Sequence, residues 1–146
     1  EAQENGIDVG VYFFSQAVTT EEAVKEAKYV LSNIKGRNVS LPIGFDMEPV
    51  TENDRIKALT VEQKTEVADA FGCIMKKHGR ETLIYGNPDW IANNIDLTLL
   101  TDYEIWLAHY TSMSSFEYDY AMWQYSSTGR VDGINTNVDL NIMFVK

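Results

Sequence analysis

Two carboxylates separated by one residue, Asp46 and Glu48, stand in the mostly apolar stretch from Leu41 to Pro49. Side chains of an extended chain alternate between faces, so Ile43, Phe45 and Met47 share one side while Gly44, Asp46 and Glu48 share the other. Such a strand sets its two acids about 7 Å apart, at roughly 3.3 Å per residue. Burying both without partners is expensive, so the pair needs a polar cavity or dedicated contacts. The chemistry it offers is acid catalysis. Close carboxyls repel when both are ionised, which raises one pKa toward the operating pH and keeps a proton for donation, while the other stays charged. The plainer reading is structural, with Asp46 ending a strand and Glu48 facing solvent before Pro49.

The flanking segments show what would hold the pair. Residues 10–15 read as a strand by their aromatic and β-branched content. A helix follows, with Thr19 and Glu22 at capping-box spacing, an apolar face of Ala23, Ala27, Val30 and Ile34 with Val24 and Leu31, and Gly36 as the stop. After the acidic strand, Thr60 and Gln63 repeat the capping pattern, and Val67, Phe71, Ile74 and Met75 carry a second helix to Gly79. A strand over 81–85 leads to Asn87 and Pro88, a cap and first-turn proline that open a third helix through Trp90, Ile91 and Ile95, ending near Leu100. Residues 103–110, 120–125 and 138–144 then read as three strands joined by loops. Regular strand-helix alternation implies a parallel sheet with helices outside, either doubly wound or a β/α barrel. Six strands do not close an eight-stranded barrel, which typically takes about 250 residues. A partial barrel would leave its first and last strands with open edges, available to another segment or to self-association with a second chain.

Composition narrows the partners. With 146 residues, 45% hydrophobic and 12% aromatic, the chain is expected to bury a single core as one domain over 1–146. Twelve basic against twenty-two acidic residues give a net charge of -10, which argues against nucleic acid. No run of about 18 apolar residues is present, so no membrane span is expected. The polar opening from Glu1 to Gly6 carries no secretory signal, leaving open that the residues begin after something removed. Cys73 is the only cysteine, which excludes an internal disulfide and a thiolate metal cluster, and its place in an apolar helical period reads as a small buried hydrophobe. His78 falls in the last turn of the same helix, where a cation suits the dipole.

Several segments together resemble the lysozyme-type muramidases of glycoside hydrolase family 25: residues 10–15 with their Glu/Ala-rich helix, 42–48, 105–108, 122–127, 131–134 and 137–141. The resemblance implies a β/α (TIM-like) barrel, here partial, with about six strands and three main helices. The family's Asp-bearing first strand and its second strand-helix unit have no counterpart in these residues, so the domain is expected to be N-terminally incomplete. By matching position, Glu48 would be the general acid that protonates the glycosidic oxygen, and Asp46 would orient the sugar's 2-acetamido group, the nucleophile of a retaining, substrate-assisted reaction. Asp139, with Asn141 beside it, would face the same cavity. Surrounding carboxylates would stabilise a developing oxocarbenium charge.

The strands are dense in aromatics suited to stacking on sugars. Tyr12, Tyr85, Trp106 and Tyr110 are favoured for the cleft; Trp123 and Gln124 point oppositely, so a regular strand lets only one of them line it, and Gln124 is taken as the polar contact. His109 is expected to point away from Trp106, toward packing. The implied partner is bacterial peptidoglycan, cut between N-acetylmuramic acid and N-acetylglucosamine without cofactor, in an extracellular or phage-associated setting. Two alternatives stand beside this: a catalytically silent wall-binding or structural fragment, and a hard divalent cation held by Asp46, Glu48 and Asp139, for which no metal-binding spacing is present.

Overall fold

A computed structural model of the chain describes residues 1–51 and 54–144. The strands are β1 (Val11–Phe14), β2 (Ile43–Asp46), β3 (Thr82–Gly86), β4 (Glu104–Ala108), β5 (Met122–Gly129) and β6 (Val138–Met143). Three main helices join the first four strands: α1 (Thr20–Ile34), α2 (Val61–Lys77) and α3 (Pro88–Asn94).

The strands lie in one sheet in chain order. Neighbours are parallel from β1 to β5, and β6 runs antiparallel to β5. A doubly wound sheet reverses its direction of growth to place helices on both faces; this one never reverses, so right-handed crossovers keep the helices on one side. The result is a partial β/α barrel wall, which settles the choice the alternation left open. Among the described residues β1 and β6 are the outer strands.

The apolar periods account for the core. The helix-facing residues Ile43, Phe45, Ile84, Ile105 and Leu107 join Ala23, Ala27, Val30 and Ile34 of α1 and Val67, Phe71 and Met75 of α2 in one buried cluster. The rings of Phe45 and Phe71 pack with centroids 4.9 Å apart. Each large side chain so buried contributes about 1.5–3 kcal/mol, which is why α2, with α1 packed against it, closes over the back of β2. Cys73 lies at the border of this packing, half-buried rather than buried as expected.

The caps set where the elements begin and end. Thr60 and Gln63 make both bonds of the capping box, at 3.2 and 3.0 Å. At Thr19 only half forms: its hydroxyl accepts from Glu22 N–H at 3.2 Å, but the Glu22 carboxylate turns to Val18 N–H and to Arg55. Gly36 and Gly79, with φ of 75° and 69°, turn the chain out of α1 and α2. The third helix is shorter than its pattern suggested and closes at Asn94 rather than near Leu100. Asn93 and Asn94 donate to the carbonyls of Asp89 and Trp90 at 2.8 and 3.0 Å, and Asp96 caps a separate 3-10 turn over Leu97–Leu99. Among the described residues no helix is long and apolar enough to cross a membrane.

Candidate active site

β2 is buried along its whole length and ends at Asp46. Glu48 therefore lies two residues past the strand, not on it as alternation implied. It still reaches the intended end of the sheet, where it lines a hollow of about 670 Å³ together with Tyr85, Asn87, Asp89, Ala108, His109, Tyr110 and Ser115. Asp46 sits deeper, only 7% exposed, and its Oδ1 has no hydrogen-bond partner among the described residues.

The backbone under Asp46 is held from β1. Ser15 N–H donates to the Asp46 carbonyl at 2.7 Å, and the Ser15 hydroxyl donates to the Glu26 carboxylate of α1 at 2.6 Å. Gln16 N–H adds a bond to Glu26 at 3.0 Å. Burial pushes the Glu26 carboxyl up in pKa, a rise that these bonds oppose. Ser15 and Glu26 thus fix the end of β1 beside the acid pair, a role that no local spacing revealed because the partners are eleven residues apart.

Burial first, and the charge of Glu48 second, push the Asp46 carboxyl from the ordinary 3.8 up to about 7. Burial also raises Glu48. Both members of the pair are thus held above the ordinary carboxylate range, most strongly at Asp46. Burial and the lack of a hydrogen-bond partner for Asp46 Oδ1 among the described residues penalise its ionised form.

The other expected site residues fall into two groups. Tyr85 and Tyr110 belong to the hollow with Glu48, and their hydroxyls donate to the Gln124 side-chain carbonyl at 2.9 and 2.8 Å. Gln124 itself is 3% exposed and lies behind them, so it meets a ligand through the tyrosines rather than directly. Trp123 points the other way, its indole N–H donating to the His109 carbonyl.

Tyr12, Trp106 and Asn141 instead line a second, smaller hollow of about 270 Å³, with Gly44, Leu83 and Met122. Trp106 donates its indole N–H to Asn141 Oδ1 at 2.8 Å. Face was read correctly here and height was not: Trp106 and Tyr110 share a parity but stand four residues apart, about 13 Å along a strand. Asp139 is exposed on β6 and, among the described residues, is not one of those that line either hollow, whereas Asn141 lines the smaller one. His109, expected to pack away, lines the Glu48 hollow because β4 ends at Ala108 and alternation stops there. Its Nδ1 lies 3.1 Å from Ser114 Oγ. Among the described residues no group of three or more His, Cys, Asp or Glu side chains is placed to hold a metal ion.

Asn87, Asp89 and Ser115 were missed as lining residues. Asn87 and Pro88 were legible as a helix start, and the loop after β3 brings that start to the hollow.

Parallel strands whose carboxyl ends bring Glu48 to a polar hollow, with Asp46 buried near it, make this a β/α-barrel wall whose hollow lies at the end where such folds usually carry their sites. The chain belongs to glycosyl hydrolases family 25, which matches residues 1–134. It is similar to the uncharacterized protein YegX of Escherichia coli, 28% identical over 144 residues, covering 97% of this chain and 50% of that protein. Among solved structures it resembles the bacterial lysozyme from Streptomyces coelicolor, with a TM-score of 0.78 and 26% identity over 97% of this chain and 70% of that one. It also resembles the modular autolysin LytC of Streptococcus pneumoniae in complex with a synthetic peptidoglycan ligand, with a TM-score of 0.83, 24% identity, and 98% and 35% of the two chains covered. The chain spans about half the length of the curated relatives it matches.

Proposed function

We propose that the chain is the acid-bearing part of a lysozyme-type muramidase that hydrolyses the β-1,4 bond between N-acetylmuramic acid and N-acetylglucosamine in bacterial peptidoglycan, at a wall outside the producing cell or in a phage-associated setting. The observation that carries this reading is the position of Glu48: it is the member of the pair that lines the hollow, while Asp46 lies beneath it. The lysozyme and the autolysin among the similar structures support the substrate class.

In this reading a glycan entering the hollow excludes water from around the half-exposed Glu48. The reading gives the pair one proton to share; the exclusion of water raises the affinity of Glu48 for it, and the proton moves from Asp46 to Glu48. Glu48 protonates the glycosidic oxygen as the bond breaks; the ionised Asp46 orients the 2-acetamido group, whose carbonyl oxygen closes on the anomeric carbon. Water then opens that intermediate with retention, Glu48 acting as base. The test is turbidity of purified walls: the wild-type chain clears them, and Glu48→Gln, folded and no less stable, does not.

A second reading is supported by a specific observation. Asp139 stands exposed, apart from the hollow, and the β1 and β6 edges are open among the described residues. A chain in this state binds walls without cutting them, or pairs an edge with a second copy. Pull-down with the same walls, beside the turbidity assay and a solution molecular weight, separates these: binding without clearing selects the silent fragment.

A further inference from the structure

We propose that Gln124 is a positioning residue that sets the hydrogen-bond polarity of the hollow: its side-chain carbonyl takes the phenolic protons of Tyr85 and Tyr110, so that both phenol oxygens meet a bound glycan as acceptors and select a donor there, a hydroxyl or amide N–H. The inference rests on the muramidase reading for the identity of the ligand, but not for the polarity itself.

Three separate segments converge on one oxygen. Gln124 comes from β5, where it pairs in register with Ala108 and Asn141; Tyr85 comes from β3, and Tyr110 from the loop after β4. An amide carbonyl has two lone pairs, and hydroxyl donors at 2.9 and 2.8 Å occupy both. A phenol has a single proton. Once that proton is committed to a carbonyl that is 3% exposed, the oxygen offers only lone pairs to whatever fills the hollow. Burial, followed by the charges of neighbouring Tyr110, Glu48 and Asp46 and a side-chain hydrogen bond with Tyr110, raises the Tyr85 phenol, so it remains protonated and able to donate. A ligand that places an ether or carbonyl oxygen against these phenols leaves two acceptors facing each other without a proton between them. An amide turned the opposite way would send its NH2 to both phenols and free their protons for the ligand.

Tyrosine Raman spectra decide between the two arrangements without any activity. The intensity ratio of the tyrosine Fermi doublet differs between a phenol that donates and one that only accepts. Subtracting the spectra of Tyr85→Phe and Tyr110→Phe from wild type isolates each ring among the eight tyrosines. Both rings are expected to give the donor ratio, to lose it in Gln124→Met, and to keep it in Gln124→Glu at neutral pH, where a carboxylate accepts but has no N–H to give. Acceptor ratios in wild type, or rings indifferent to Gln124→Met, overturn the proposal; if Gln124→Met does not fold, the two Phe subtractions carry the test alone. On walls, Gln124→Met is expected to raise KM about tenfold with a smaller change in kcat, and Gln124→Glu to shift the alkaline limb of the rate profile upward by adding charge beside the acid pair. Donor ratios in a wild-type chain that clears no walls leave the polarity standing and remove the muramidase reading. Clearing with acceptor ratios does the reverse.

Discussion

The two hollows on the concave side of the sheet share β3 and β4 in their walls and differ in nearly every property that decides function. The one at the carboxyl ends holds Glu48, Asp89, His109 and two tyrosines; the one lower down is walled by Val11, Leu41, Pro42, Leu83, Trp106 and Met122. They meet where Tyr85 and Trp106 pack edge to face, with centroids 4.9 Å apart. Moving along a strand by a few residues changes the neighbours from loop ends, which bring polar groups and water, to the middle of the sheet, where only side chains of other strands are near. The upper hollow is therefore where charge can be tuned, and the lower one behaves as core with one side open: Tyr12 in it is 63% exposed.

The sharpest way to break this contrast is at Glu48. Glu48→Gln is expected to lower the wall-clearing rate by about 100-fold or more, the usual contribution of a general acid, with no loss of thermal stability; an effect confined to a raised KM would assign Glu48 to binding. In the lower hollow the pattern should invert. Trp106→Ala is expected to cost about 2–3 kcal/mol of stability in urea unfolding, less than for a fully buried Trp because its pocket is open. Gly44→Ala places a methyl 2.8 Å from Tyr12 Cβ and 3.0 Å from the Trp106 ring, and is expected to destabilise by about 1–3 kcal/mol. An unchanged urea midpoint in both would show that the lower hollow is not core.

Asp46→Asn probes the upper region through pH. A carboxyl whose folded pKa is raised binds protons more tightly when folded, so its contribution to stability is complete below pH 3.8, declines as pH rises, and is lost above about 7. The amide variant should lack that decline and be more stable than wild type at pH 8 by on the order of 2 kcal/mol. Parallel stability curves for the two proteins between pH 4 and 8 would contradict it. The smallest expected effect lies outside both hollows: Thr60→Ala removes one bond of the capping box and should cost about 1 kcal/mol, with clearing unaffected.

Much of this architecture was legible in the sequence, for reasons that also mark its limits. All six strands and the starts of all three helices follow from signals within a few residues: aromatic and β-branched runs, the Thr60 cap, the Asn87 and Pro88 start. The end of α3 escaped because Ile95 continues the apolar period while Asn93 and Asn94 already close the helix. Period-two alternation gave Trp106 and Tyr110 one parity and set Gln124 opposite Trp123 without saying which of those two lined the cleft; it carries no height, and it fails where a strand stops, as at Glu48 and His109. The bonds from Tyr85 and Tyr110 to Gln124, and from Ser15 to Glu26, join residues distant in the chain and exist only once the sheet is assembled. The strong rise at Asp46 was out of reach for the same reason, since depth of burial causes it and both acids lie in the same few residues.

Side-chain carboxyl carbon NMR, followed from pH 3 to 9 in the unliganded chain, measures that rise directly. A carboxyl assigned to Asp46 should titrate with a midpoint near 7, and in Glu48→Gln the midpoint should fall as the neighbouring charge is removed. If both carboxyls titrate as ordinary exposed acids, below pH 5, the pair does not share a proton at neutrality and the chemistry assigned to the upper hollow is wrong.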